Sequence, residues 1–362
     1  MEKVSKDSYL TFGIPYMGSK KKLIKHISSA LSDKNYEVVL DAFSGTTRVG
    51  QYFRSQNKTV ISNDLSDASK CYGSLFLQLQ DTSILEPYIE EMNSLEGYEG
   101  WFTQNYHGDV TDAQRGDGRF MQYKNCIKVD AVRDYVESLE VSLEVKQSLI
   151  AIILFAIPTV DNTLGQQQAY LKEWCDRSCK DIIFKIPGSI EGPVGTVTQL
   201  SCFDTKLNTF KPDLVYIDPP YSKNVWYPSY YHIYDSVAKW DKPDTVGKAK
   251  RRVDRSAIGR KQGIGDTFIF ENNLWYQDDQ TEAFTSLLDN FPDSDFLISY
   301  SSDSSLSKEQ AMKLFSEYGE VTFYSIDHKT NVLGVLGKSS AGNKIVTPKG
   351  KVSEYLFMVN RF

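Results

Sequence analysis

The chain has 362 residues, 41% of them hydrophobic and 24% charged, with a net charge of −6. That composition describes a globular protein with ample material for a core. The longest apolar stretch, Leu149 to Ile157, is far short of the ~20 residues of a membrane span. The first ten residues, MEKVSKDSYL, hold no apolar signal region. Five cysteines (Cys71, Cys126, Cys175, Cys179 and Cys202) show no paired spacing, and there are only four histidines. We therefore expect reduced thiols, a cytoplasmic protein, no membrane and no metal.

In chain order, Glu37–Leu40 (EVVL) reads as a buried strand that runs into a small-residue turn, Asp41-Ala-Phe-Ser-Gly-Thr-Thr. Arg48–Arg54 has helical spacing, with Val49, Tyr52 and Phe53 on one face. Thr59–Ser62 (TVIS) is a second strand, ending in Asn63-Asp64. The unit is strand, glycine turn, helix, strand, acid. From about Asp81 to Pro187 helical signals dominate, including the long periodic run Val129–Phe155. Strands resume at Thr196–Leu200 and Leu214–Ile217, and again at Phe296–Tyr300. Ser307 with Gln310 is a capping box opening a helix expected to stop at Gly319. Val321–Ile326 and Tyr355–Val359 are expected to close the sheet as an antiparallel pair. This order predicts an α/β fold with a mostly parallel, doubly wound sheet, one antiparallel strand and a mainly helical insert. The expected parts are a first core segment (1–80), the insert (81–190) and a second core segment (191–362).

Three motifs carry chemistry. Asp218-Pro219-Pro220-Tyr221 directly follows the apolar strand LVYI, and ligands bind at the carboxyl ends of strands in open α/β sheets. The prolines remove two N–H donors and lock φ. What faces a ligand is then acceptor-only, beside one flat ring, which suits an exocyclic amine on a planar base. A purely structural tight turn would also read this way. In the Asp41–Thr47 turn, Gly45 lets a ligand approach backbone N–H groups at the next helix. Asp64, at the end of the second strand, stands where acids hold ribose hydroxyls, although many such strands end in an acid. Pro15-Tyr16-Met17-Gly18-Ser19-Lys20 precedes the first strand and reads either as a ligand loop or as a capped helix start.

Charge is uneven. Lys239–Gln262 carries nine bases and three acids, a local +6 that leaves −12 for the rest. Gly334–Val352 holds Lys338, Lys344, Lys349 and Lys351 with no acid. Both are loop-like in composition, and they read either as a phosphate grip or as solvated loops.

PYMGSK, DAFSGTTRVG, NDLS and DPPY, in that order, resemble the Dam-like adenine-specific (N6) DNA methyltransferases, over both ends of the chain. Asn162-Thr-Leu-Gly and Ala169-Tyr-Leu-Lys resemble phrases of some members. The resemblance implies a Rossmann-like core, S-adenosyl-L-methionine as methyl donor and adenine N6 in double-stranded DNA as acceptor. It implies that Tyr16, Gly18 and Lys20 line the donor's methionine end. Asp41, Phe43, Ser44, Gly45 and Thr46 would surround the donor, Asp64 would hold the ribose, and Asp204 and Asp218 would lie close by. Asp218, Pro219, Pro220 and Tyr221 would hold a target base swung out of the duplex. It also suggests a cognate restriction endonuclease. Cytosine-C5 chemistry, which needs a cysteine after proline, finds no such pair here. Methylation of cytosine N4 or of RNA adenine, and a non-catalytic nucleic-acid-binding homologue, remain the alternatives.

Trp226, Tyr227, Tyr230, Tyr231 and Tyr234 follow DPPY, some to line the pocket and most to pack. Lys248, Lys250, Arg251, Arg252, Arg255 and Lys338 are the candidate DNA-phosphate contacts. Such enzymes read their target between the glycine turn and DPPY. Here Asp81–Lys185 carries 18 acids and ten bases, so either a few of its residues read bases or the later loops do.

Overall fold

A computed structural model of the chain describes residues 9–15, 18–108, 120–221, 227–256, 274–328 and 352–362. Tyr16, Trp226 and Lys338 lie outside these. Seven strands form the main sheet: β1 (Val38–Asp41), β2 (Thr59–Asn63), β3 (Thr196–Thr198), β4 (Leu214–Ile217), β5 (Asp295–Ser301), β6 (Gly319–His328) and β7 (Val352–Arg361). Their order is β6-β7-β5-β4-β1-β2-β3. All neighbours pair in parallel except at β7, which runs antiparallel to both β5 and β6. A mostly parallel sheet with one antiparallel strand is what the sequence predicts. The order reverses between β1 and β4, so a crevice opens at their carboxyl ends.

Strand periodicity builds two cores. Val39, Leu214, Tyr216, Leu297 and Leu356 face one layer, while Leu40, Val215, Ile217, Ile298 and Phe357 face the other. Helices α1 (Ile24–Ala30), α2 (Arg48–Ser55), α3 (Asp67–Gly73), α4 (Glu86–Ser94), α5 (Trp101–Tyr106), α6 (Tyr123–Ser138), α7 (Leu143–Ala156) and α8 (His232–Lys239) bury apolar residues in the first core. Helices α9 (Thr281–Asp289) and α10 (Lys308–Phe315) cover the other face.

Among the described residues, the block from 81 to 159 is mainly helical, interrupted by one short parallel pair, His107–Gly108 with Met121–Gln122; beyond it only Asp176–Cys179 forms a helical turn. Its apolar residues are continuous with the sheet's own core. The run Val129–Phe155 is two helices, broken at 139–142, and α7 buries Leu149 to Leu154 without interruption. None of the described helices is long and apolar enough to cross a membrane.

The capping box at Ser307 and Gln310 is present in both directions, but the helix it opens ends at Phe315. Gly319 instead starts β6. A Cβ there would lie 2.1 Å from the Asn360 carbonyl, so close strand contact, not a helix stop, requires this glycine.

Helix α2 also anchors the segment before β1. Gln51 clasps Phe12, accepting from its N–H (2.8 Å) and donating to its carbonyl (2.9 Å). Arg48 donates to the carbonyls of Thr11 (2.6 Å) and Gly13 (2.9 Å). These bonds fix the chain that leads to Gly18 and Lys20.

Candidate active site

The crevice at the carboxyl ends of β1, β2 and β4 holds a cavity of about 220 Å³. Of the sequence-predicted residues, Gly18, Lys20, Asp41, Phe43, Ser44, Gly45, Thr46, Asp64 and Asp218 to Tyr221 all line it. Asp204 does not. Its carboxylate accepts from the Lys206 N–H (2.9 Å), capping the following 3-10 turn, so its place after a strand serves local structure.

The glycine turn is held from the neighbouring strand. Gly45 has φ +48° and donates its N–H to Asp64 Oδ2 (2.8 Å), while Ser66 N–H donates to Asp64 Oδ1 (2.9 Å). Asn63 joins two further loops, donating to the carbonyls of Ala42 (3.3 Å) and Leu200 (3.1 Å). Burial raises the Asp64 pKa, and the two N–H bonds oppose it. Asp41 is 1% exposed, and its Oδ1 has no hydrogen-bond partner. Burial, then the charges of Asp218 and Asp64, push its pKa well up. An orphaned acceptor in a cavity wall is a place for a ligand's N–H or positive charge.

One wall is aromatic. Phe203 stacks on Trp275 (5.9 Å between centroids, 10° between planes), and Phe43 meets Trp275 edge-on at 5.4 Å. Trp275 also approaches Cys202 Sγ through its Nε1 (3.2 Å). Burial pushes the Cys202 thiol up to about 12, so the cavity-lining sulfur is no thiolate nucleophile.

At the DPPY end, Lys20 Nζ lies 2.9 Å from Asp218 Oδ1, 3.0 Å from Glu354 Oε1 and 2.7 Å from the Tyr221 hydroxyl. That hydroxyl is 2.6 Å from both carboxylate oxygens and 3.0 Å from Ser299 Oγ. Burial and the Glu354 charge raise Asp218 to about 6, against the opposing pull of Lys20 and Tyr221. Burial works against the Lys20 charge, yet Asp218 and Glu354 hold its ammonium above the usual value. Glu354 is partly buried too, but Lys20 and its hydrogen bonds bring it below the ordinary range. Gln280 Nε2 occupies the Pro220 carbonyl at 2.8 Å. Among the described residues no donor reaches the Pro219 carbonyl or Asp218 Oδ2. Among the described residues, two acceptors therefore remain without a donor at this end.

The basic stretch is not uniformly a surface. Arg252, 1% exposed, is bidentate to Asp241 and to Asp254. Arg255 is buried in the cavity wall, 3.7 Å from Asp235 and 3.6 Å from Asp254. Both guanidiniums face the protein's own carboxylates, contrary to the expectation of free phosphate contacts. Lys248 is exposed, and Lys250 and Arg251 are half-buried. Of the tyrosines, Tyr231 lines the cavity and stacks on buried Tyr234 (6.1 Å, 6°), while Tyr230 packs on the core.

Sequence reading missed Glu354, Ser299, Phe203, Trp275 and Asp235. Phe203, Trp275 and Asp235 line the cavity, while Ser299 and Glu354 meet the Lys20–Asp218–Tyr221 cluster at its DPPY end. Only Asp235 had a local cue, following four tyrosines just after DPPY.

Comparison with known proteins agrees with this geometry. Residues 16–294 match the family described as D12 class N6 adenine-specific DNA methyltransferase. The chain is 27% identical to the modification methylase LlaI of Lactococcus lactis subsp. lactis over 277 residues, 71% of this chain and 43% of that one. It is 24% identical to the modification methylase StsI of Streptococcus sanguinis, covering 96% of this chain and 52% of the relative. It is 26% identical to the type II methyltransferase M.CviAII of Paramecium bursaria Chlorella virus 1, covering 96% and 98%. The chain thus spans about half the length of the two bacterial relatives and nearly all of the viral one. With more than half of its length inside the family match and the family's motifs gathered around one cavity, the chain belongs to the D12 class of N6 adenine-specific DNA methyltransferases.

Proposed function

We propose that this chain methylates N6 of adenine in double-stranded DNA, with S-adenosyl-L-methionine as donor and the target base flipped into the DPPY end of the cavity. The observation that carries the reading is that Asp218 Oδ2 and the Pro219 carbonyl accept from no donor among the described residues, in a cavity whose other end offers flat aromatic faces and an unpaired Asp41 oxygen.

The residues present fit the donor. Phe43, Phe203 and Trp275 offer flat faces for its adenine. Asp64 keeps lone pairs for ribose hydroxyls, and the orphaned Asp41 oxygen offers an acceptor to its positive charge. When bound, the donor supplies an electrophilic methyl group on its sulfonium.

The chain's part is positioning. The N6 lone pair of adenine is delocalised into the ring. Asp218 Oδ2 and the Pro219 carbonyl would accept its two hydrogens and favour a pyramidal nitrogen. The nitrogen–carbon bond then forms in line as the sulfur–carbon bond breaks. The leaving proton has Asp218 as its nearest acceptor, and a carboxyl raised to about 6 is suited to take it and return it to water. Tyr221, anchored by its hydroxyl, would cover one face of the base. Exposed Lys248, in the basic stretch after DPPY, would contact a backbone phosphate. The relatives' names, modification methylases, support a role in DNA modification, to which we add a cognate restriction endonuclease and an intracellular site of action as part of the proposal.

Asp218→Ala should lower methyl transfer by about 10²–10³-fold or more. Binding of S-adenosylhomocysteine by calorimetry should be largely unchanged. Mass spectrometry of digested substrate DNA should identify N6-methyladenine; N4-methylcytosine as product, or a mutant with near-normal activity, would refute the assignment.

A further inference from the structure

The antiparallel strand brings a second carboxylate to the site. In a parallel sheet every strand presents its carboxyl end to the crevice. β7 alone runs the other way, so its first residues lie beside the carboxyl ends of β5 and β4. Glu354 sits there, paired in register with Ser301, and accepts from Ser299 Oγ at 2.9 Å. Its side chain is partly buried, 14% exposed, and its Oε1 holds both Lys20 Nζ (3.0 Å) and the Tyr221 hydroxyl (2.6 Å).

Resting on the methyltransferase reading above, we propose that Glu354 is a positioning residue for Asp218. Through Lys20 and Tyr221 it fixes Oδ1 of that carboxylate, keeps Oδ2 open to the target amine, and keeps the group basic enough to accept a hydrogen.

The geometry supports each part. Lys20 has three N–H donors and three partners within 3.0 Å: Asp218, Glu354 and the Tyr221 oxygen. The Tyr221 hydroxyl has one hydrogen and two carboxylate oxygens at 2.6 Å. Lys20 and Tyr221 are therefore shared, and both converge on Oδ1 alone. Without Glu354, both would belong to Asp218, free to engage its second oxygen and to lower its basicity. The ionisable groups that face Asp218 are Lys20 from the amino-terminal segment, Asp41 on β1, Tyr216 on β4, Tyr221 and Glu354. Glu354 is the negative neighbour that shares its cation.

The test compares Glu354→Gln and Glu354→Ala with the wild-type chain in the pH dependence of DNA methylation. Glu354→Gln keeps the shape and an acceptor but removes the charge. Asp218 must be ionised to accept, and loss of a neighbouring negative charge lowers its pKa. The acid limb of kcat/KM should therefore move down by roughly one pH unit. Glu354→Ala should lower kcat roughly tenfold, as for residues that orient a ligand from behind, while KM for the donor changes little. An acid limb unmoved in Glu354→Gln, or a loss that falls wholly on donor KM in Glu354→Ala, would overturn the proposal while leaving the function intact. An inactive wild-type chain would instead remove the functional reading, and this inference with it.

Discussion

Arg252 separates a structural cation from a DNA-binding one. Its guanidinium donates Nε to Asp254 Oδ1 (3.0 Å), Nη2 to Asp254 Oδ2 (3.1 Å), and Nη1 and Nη2 to Asp241 (2.6 and 2.8 Å). Two bidentate carboxylates neutralise it, and together they raise its pKa despite burial. Arg252→Ala would leave both acids facing each other without their cation. Removing one partner of a buried pair costs about 3–5 kcal/mol. Asp241 is one-third exposed and can rehydrate, so the low end, about 3 kcal/mol, is expected. For a chain of this length that corresponds to a drop in Tm of about 4 °C. Calorimetric melting of wild type, Arg252→Ala and Lys248→Ala would measure it. The salt dependence of binding to duplex DNA should be recorded on the same samples. Exposed Lys248 should melt as wild type, and if it touches a phosphate its loss should flatten the slope of log affinity on log salt by about 0.9. An Arg252→Ala protein with wild-type Tm and a flattened salt slope would refute the reasoning and return Arg252 to the DNA interface.

Two further substitutions probe the cavity and the helical block. Asp64→Ala removes the acceptor that holds Gly45 and Ser66 as well as the proposed ribose contact, so S-adenosylhomocysteine affinity should fall by roughly 1–3 kcal/mol in calorimetry. Unchanged affinity would make Asp64 a strand-end acid only. Asp130→Ala should lower stability by about 3 kcal/mol in urea unfolding, since this buried carboxylate accepts from Gly100 N–H (3.1 Å), Phe102 N–H (2.8 Å), Thr103 N–H (2.8 Å) and Thr103 Oγ1 (2.6 Å) at the start of α5. A loss below about 1 kcal/mol would mean that water replaces those bonds.

The local features of this protein are written in short stretches of chain. VVLD and LVYI are buried strands because four consecutive apolar or strand-end residues leave no polar face. DPPY follows because two prolines cannot continue a ladder. Ser307 and Gln310 cap a helix through bonds that span three residues. The order of the glycine turn, the strand-end acid and DPPY therefore indicates the fold class, and its resemblance to a known family is what points to a methyltransferase cavity.

What tertiary structure decided is which charges meet. Glu354 acts on Lys20 and Asp218 only because β7 reverses direction beside β5, bringing together residues 334 and 136 positions apart in the chain. Arg252 looks like a surface cation when bases are counted, yet its nearest acids lie two and 11 positions away, and α8 closes over it through Ser236. Asp204 and Asp64 both end strand-like runs, but only Asp64 follows the strand beside β1, next to the reversal of strand order, and lines the cavity. Sequence signals of this kind are local, because turns, caps and periodicity act over a few residues. Pairing of buried charges is a property of strand order, which no single stretch of the chain carries.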